Sequence, residues 1–221
     1  MTYIYKTGRI ELYQQIKKYS SLINGRVLDI GSGSFSRYQN LFQFDEYVKM
    51  DIEPGKNVDV VGRIEMIPFK DQAFNSIVCT QVLGDVYELS KAFNELYRVL
   101  RPGDVVLITE NLFDPLHDEP FDFWRFTIHG LRRLAEDVGF EIKVLERRGG
   151  YWSIMAQLKA RYWIERIRPN NKWFAKIFSL RLKILGTWAI FLDSRDDSRA
   201  NKLFTHGYIL IAQKSSSINS R

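Results

Sequence analysis

A chain of 221 residues, 45% of them hydrophobic and 26% charged, is long enough for one α/β domain with a full core and has the composition of an ordinary globular protein. Its single cysteine, Cys79, excludes an intramolecular disulfide and fits a reducing compartment, and Met1 to Lys6 lack the apolar core and cleavage site of a signal peptide, so a cytoplasmic location is expected. A net charge of +6 allows attraction to anionic partners without choosing among nucleic acid, anionic lipid and phosphorylated metabolites.

Apolar residues at Ile10, Tyr13, Ile16, Tyr19 and Ile23 recur with a helical period from Arg9 to Ile23, and Asn24-Gly25 stops that helix. Val27 to Ile30 is a short apolar run that reads as a buried parallel strand. Gly31-Ser32-Gly33 follows, where the backbone can turn sharply and approach a ligand with no Cβ in the way. Asp29 interrupts the apolar run two residues before the first glycine. A carboxylate at the end of a buried strand is costly without a partner, which points to ligand chemistry. A dinucleotide pyrophosphate would be repelled by it, and Ser36 stands where the third glycine of a dinucleotide fingerprint belongs. A cationic ligand suits the site better, such as the ammonium and sulfonium groups of S-adenosylmethionine (SAM).

Arg37 to Phe44 is expected to form a short helix and Tyr47 to Ile52 a second strand, in which Asp51 lies twenty residues after Gly31. At that spacing a carboxylate can accept hydrogen bonds from both hydroxyls of a ribose; the other reading is that Asp51 caps the turn before Pro54-Gly55. Val58 to Val61 is a third strand and Phe74 to Gln81 a fourth, placing Gln81 at the carboxyl end where ligands of open α/β sheets bind. Glu88 to Leu100 is an amphipathic helix with Leu89, Ala92, Phe93, Leu96, Val99 and Leu100 on its core face. Leu100 to Asp104 ends it and leads into a fifth strand, Val105 to Thr109.

Val27-Leu-Asp-Ile-Gly-Ser-Gly33 resembles the first motif of class I SAM-dependent methyltransferases, and Val99-Leu-Arg-Pro-Gly103 resembles their turn before the fifth strand. Ile67-Pro-Phe69 resembles the Leu-Pro-Phe turn that many of them place beside the adenine. The resemblance runs from Val27 to about Glu146 and takes in the last strand. It implies that Asp29, Gly31, Ser32 and Gly33 hold the methionine part of SAM, that Asp51 and Ile52 serve the ribose, and that Gln81 lines the pocket. The chain departs from the family pattern at Phe35, at Arg63 (an acidic residue is usual there) and at Gly84-Asp85, which replaces a Glu-His pair and removes one possible base. The adenine would then rest on backbone groups and on apolar walls from Ile64 and Ile67.

Pro115 to Thr127 collects His117, Asp118, Glu119, Asp122, Trp124 and Arg125 in one loop beyond the fifth strand. His117 is a candidate general base, since an imidazole titrates near neutrality. Asp122 could orient His117 or a substrate hydroxyl, and Arg125 could grip a carboxylate or phosphate with two prongs. The competing reading pairs Asp122 with Arg125 to fix the loop, with Trp124 packed on the sheet. The segment resembles one in a bacterial methyltransferase branch linked to cell-surface glycan and secondary-metabolite pathways. No metal site is expected.

Thr127 is a good N-cap for a helix through Val138, stopped by Gly139. Phe140 to Glu146 is a sixth strand and residues 205–213 the last, which the resemblance places antiparallel beside the sixth. Between them, 149–201 forms a basic, aromatic-rich insertion. In it Trp173 to Leu192 reads as a helix with Phe174, Ile177, Phe178, Leu185, Trp188, Ala189 and Leu192 on one stripe and Lys172, Lys176 and Lys183 opposite. Those cations argue against a transmembrane span. An anionic membrane surface, an active-site lid, a homodimer interface and a plain helix at the sheet edge all stay open for it. The polar tail Ser215 to Arg221 is expected to be disordered.

The whole chain, 1–221, is therefore expected to be a single α/β domain: a seven-stranded, Rossmann-like, doubly wound sheet with an antiparallel last strand and a helical insertion before it. SAM-dependent methyl transfer to a small molecule or to a glycan or lipid-linked intermediate is the expected activity. A catalytically inactive SAM-fold binding or scaffold subunit is the alternative, motivated by the departures above. A nucleic-acid methyltransferase ranks lower, because no nucleic-acid motif accompanies the basic and aromatic residues.

Overall fold

The computed structural model describes residues 7–33, 35–168 and 171–216, together with all their side chains except that of Lys172. Most of the tail expected to be disordered lies outside the described residues. The strands are β1 (Arg26–Ile30), β2 (Glu46–Asp51), β3 (Val60–Val61), β4 (Phe74–Thr80), β5 (Leu100–Asn111), β6 (Phe140–Arg148) and β7 (Gly207–Lys214). They form one sheet in the order β3-β2-β1-β4-β5-β7-β6. β3, β2, β1, β4 and β5 run parallel, while β7 enters antiparallel between β5 and β6. The expected fold is the one observed.

Apolar strands flanked by helices on both faces account for two cores. On one face α2 (Leu89–Val99) and α3 (Ile128–Asp137) bury Phe93, Leu96 and Leu131 against Leu28, Ile77 and Ile108. On the other, α1 (Thr7–Tyr19) packs Leu12 and Ile16 over Val27, Val78, Leu107 and Ile209. The hydroxyl of Thr127 accepts the N–H of Gly130 at 3.1 Å, the expected N-cap of α3.

Three elements differ from expectation. Arg37–Phe44 is no α-helix: only Gln39–Leu41 makes a single 3-10 turn, without a side-chain cap, and Phe42 is already extended. Tyr38, Leu41 and Phe42 pack against the α1-side core, and β2 begins four residues after Phe42, which leaves no length for a second turn. The third strand keeps only Val60–Val61, at the sheet edge. β5, by contrast, starts at Leu100, but its register with β4 slips between Leu100 and Val105 and Gly103 is left-handed (φ +85°), so the expected turn persists as a bulge inside the strand.

The insertion holds α4 (Tyr151–Ile167), α5 (Lys172–Arg195) and the short α6 (Arg199–Lys202). α4 and α5 pair with each other and rest on α1. Asp193, near the end of α5, accepts the N–H groups of Gly150 (3.0 Å), Trp152 (3.0 Å) and Ser153 (2.9 Å), so the α4 N-terminus is capped by its partner helix. The stripe expected on α5 is rotated. Its buried residues are Ala175, Gly186 and Ala189, small enough for close helix approach, whereas Ile177 and Trp188 face outward. Among the described residues no helix is long and apolar enough to cross a membrane.

Candidate cofactor and substrate site

The carboxyl ends of β1, β4, β5 and β6, with the start of α1 and one face of α4, enclose a cavity of about 570 Å³. At its β1 end the chain turns through Gly31 (φ +69°) and Gly33 (φ +59°), left-handed conformations that favour glycine. The Gly31 N–H donates to the Met50 carbonyl at 2.9 Å, which holds the turn against β2. A Cβ on Gly31 would lie 2.3 Å from Val82 Cγ2, whereas one on Gly33 would meet nothing within 4 Å. The Ser32 hydroxyl lines the cavity, buried and without a hydrogen-bond partner.

Asp29 is 6% exposed at the end of β1. The Ser36 hydroxyl donates to Oδ2, and the Tyr47 hydroxyl stands alongside. Burial nevertheless pushes this carboxyl up to about 6. Asp51 accepts the Gly33 N–H on Oδ2 at 2.7 Å and the Glu53 N–H on Oδ1 at 3.1 Å. It therefore ties the glycine turn to the end of β2 and also caps its own turn.

Gln81 follows β4 in a left-handed conformation (φ +59°), uncommon for a side-chain-bearing residue. It is anchored by its N–H to the Thr109 carbonyl at 2.8 Å and by Nε2 to the same oxygen at 3.0 Å. Behind it Glu110, 3% exposed, accepts the N–H groups of Val82 (3.0 Å) and Leu83 (2.8 Å). Burial raises the Glu110 carboxyl to about 8.

The loop after β5 docks on the turn after β4. Phe123 and Trp124 both donate backbone N–H to the Gly84 carbonyl, at 2.9 and 3.0 Å, and the Trp124 indole N–H reaches the Val86 carbonyl at 2.9 Å. Asp122 accepts Arg125 Nη2 at 2.8 Å and the His117 N–H at 3.0 Å, and the guanidinium holds its carboxyl down to about 2. His117 Nδ1 lies 3.1 Å from the Pro115 carbonyl. A carbonyl only accepts, so Nδ1 is the donor there, and the neutral tautomer this bond favours has its lone pair on Nε2. The ligand atoms of His117, Asp85 and Asp118 all lie within 4.8 Å of one another. His117 therefore stands beside the position of the histidine that Asp85 replaces.

The far wall comes from β6, β7 and α1. Arg148 is 4% exposed and donates from Nη2 to Asn111 Oδ1 at 2.6 Å. His206 Nε2 stands 3.2 Å from Glu11 Oε2. Burial raises the Glu11 carboxyl to about 7, and burial with the neighbouring Arg148 lowers the His206 imidazole to about 3.

Residues 28–108 match the methyltransferase-domain family. That stretch runs from β1 to β5 and carries the glycine turn, so the methyltransferase likeness falls on the cofactor half of the cavity. Relatives include the ubiquinone/menaquinone biosynthesis C-methyltransferase UbiE of Enterobacter sp., 34% identical over 104 residues that make up 42% of this chain and 40% of that protein. UbiE of Haemophilus ducreyi is 29% identical over 45% of this chain and 48% of its own. The chain thus spans less than half the length of these curated relatives. Among solved structures the domain superposes on phosphoethanolamine N-methyltransferase 2 of Haemonchus contortus in complex with SAM, with TM-score 0.56, 17% identity, and coverage of 94% of this chain and 52% of that one. The cyclase SpnF superposes with TM-score 0.58 and 18% identity over 95% of this chain and 82% of its own, so the shared fold by itself does not specify a reaction.

SAM fits the groups present around the glycine turn: a buried carboxylate for a cation and an orphaned Ser32 hydroxyl. Of the residues expected from sequence, Asp29, Gly31, Ser32, Gly33, Gln81 and His117 line one cavity. Asp51 reaches it only through Gly33, and Ile52 is 56% exposed outside it. Ile64 sits in the α2-side core, because the Arg63–Met66 bridge turns it inward and sends Met66 out, so it forms no open wall for an adenine. Asp122 and Arg125 pair with each other and lie outside the cavity, as the loop-fixing reading holds, but Trp124, expected to pack on the sheet, is 41% exposed and bonds the turn after β4 instead. Sequence reasoning passed over Glu11, Glu110, Asn111, Arg148 and His206. The available signal was that Glu110, Asn111 and Arg148 are polar residues at the carboxyl ends of apolar strands.

Proposed function

We propose that this chain is a SAM-dependent methyltransferase whose acceptor lies between the glycine turn and the 115–127 loop. The observation that carries the reading is the buried Asp29 carboxylate above the Gly31-Ser32-Gly33 turn, opening into the same cavity as His117. Asp29 and Ser32 would hold the ammonium and carboxylate end of SAM, and Asp51, at the end of β2, the ribose. Bound SAM supplies a methyl group already activated by its sulfonium. The chain's own share is then to position the acceptor and, where the nucleophile must lose a proton, to accept it at His117 Nε2. The region 149–201 belongs to this same domain, since α4 contributes Gln157 and Arg161 to the cavity. The acceptor is a small molecule or a glycan or lipid-linked intermediate, and a carbon nucleophile is among the candidates, given the C-methyltransferase names of the curated relatives.

Calorimetric titration with SAM and with S-adenosylhomocysteine tests this. Micromolar binding by the wild type, lost in Asp29→Ala and Asp51→Ala, is the expected result. Absence of binding by the wild type overturns it and leaves the chain as a scaffold.

A further inference from the structure

Arg148 is buried with Nε and Nη1 unbonded, and its neighbour His206 leaves Nδ1 unbonded while Nε2 stands 3.2 Å from Glu11 Oε2. A buried guanidinium with open N–H groups is poorly stable without an anionic partner. Its fork presents two parallel donors, the geometry that a carboxylate or phosphate accepts. Of the carboxylates whose charge reaches it, Glu11 and Glu110 have their own ionisation opposed by burial. Asp114, on the same side, is engaged by the Asn111 amide at 3.2 Å. Arg9 and Arg161 add positive charge around this wall. Through its bond to Asn111 the guanidinium sits over the end of β5, two strands from Asp29 on β1 and beyond Leu107, the β5 residue in register with Asp29, a backbone separation of roughly 16 Å across the same cavity.

We propose that Arg148, with Arg161 lining the same cavity, binds an oxyanion of the methyl acceptor, so that the substrates are carboxylic acids or phosphate esters. This rests on the methyltransferase reading. The test uses protein with and without saturating S-adenosylhomocysteine, titrated with inorganic phosphate and separately with benzoate, and read by melting temperature and by calorimetry. Saturable binding of one anion is expected, weakened at least tenfold in Arg148→Lys, which keeps the charge but loses the fork, and weakened in Arg161→Gln. S-adenosylhomocysteine binding stays unchanged in both variants. Preference for phosphate or benzoate identifies the source of the oxyanion. No anion binding by the wild type, or equal binding by wild type and Arg148→Lys, overturns the proposal. Loss of S-adenosylhomocysteine binding by the wild type instead refutes the methyltransferase reading.

A separate observation concerns the outer face of α5. Trp173, Ile177, Leu180, Ile184, Trp188 and Phe191 are 43–76% exposed. At 100° per residue they fall within about 80° of one another, a stripe roughly 27 Å long. Lys176 and Lys183 flank one side of it and Arg181 the other. From 159 to 183 the chain has eight basic residues and one acidic residue, Glu165. A two-fold copy of this face would set those cations against each other, and the aliphatic side chains at Leu180 and Ile184 have no use for a nucleic acid. Tryptophan and basic residues around an aliphatic stripe match the interface of an anionic bilayer.

We infer that α5 docks this protein on an anionic membrane surface, lying in its plane. Co-sedimentation with phosphatidylglycerol–phosphatidylcholine vesicles, weakening as salt rises, is expected, with none on phosphatidylcholine alone. Ile184→Glu with Trp188→Glu, both at exposed positions, should abolish it. Failure of the wild type to sediment, or a dimer that these substitutions disperse, overturns the inference.

Discussion

Alanine at the two glycines of the turn separates a conformational cost from a steric one. Both positions are left-handed, at φ +69° and +59°. A Cβ there costs ~1–2 kcal/mol, offset by ~0.4–1 kcal/mol from the stiffer unfolded chain. Gly33→Ala meets no atom within 4 Å, so it should lose about 1 kcal/mol of stability. Gly31→Ala drives its methyl to 2.3 Å from Val82 Cγ2. Valine is stiff at χ1 and cannot swing away cheaply. Overpacking adds ~1–3 kcal/mol, which at about 2–4 °C per kcal/mol places the Gly31→Ala melting temperature several degrees below that of Gly33→Ala. Thermal melts and S-adenosylhomocysteine titrations of both variants, together with Gly31→Ala/Val82→Ala, measure this. Truncating Val82 should restore part of the lost stability, a positive coupling in the double-mutant cycle. Equal stability of the two alanine variants, or no rescue by Val82→Ala, would refute the packing argument.

Two further outcomes follow from the buried carboxylates. A cation at Asp29 requires the carboxylate, and its pKa near 6 means that S-adenosylhomocysteine affinity should be flat above about pH 6 and fall about tenfold per unit below it; calorimetry across that range would show it, and an affinity unchanged at about pH 5 would remove Asp29 from the site. Glu110 has its pKa raised from 4.5 to about 8, so the native state binds its proton more tightly than the unfolded chain, and that stabilisation is complete below about pH 4.5 and lost as pH rises towards about 8. Glu110→Gln keeps an oxygen for the Val82 and Leu83 N–H groups, and its melting temperature should decline less over this range than that of the wild type.

Local patterning in the chain was enough for the sheet and for half of the site. The apolar run Val27–Ile30, the Gly31-Ser32-Gly33 turn and the interrupting Asp29 sit within a few residues of one another, so their joint meaning is readable without a fold. The same holds for Gln81 at the end of β4 and for Thr127 capping α3. His117 lines the cavity, whereas Asp122 and Arg125 turned to each other, because charge partners three residues apart compete with any ligand and only the folded loop settles which wins. The far wall was beyond reach. Glu11, Arg148 and His206 come from α1, β6 and the approach to β7, and they meet because an antiparallel strand slots between β5 and β6 and returns the chain to α1. α5 shows the same division. It is apolar almost all round, so periodicity cannot say which side packs. The close approach of α4 decided it, selecting Ala175, Gly186 and Ala189 for the inside and leaving the tryptophans outside.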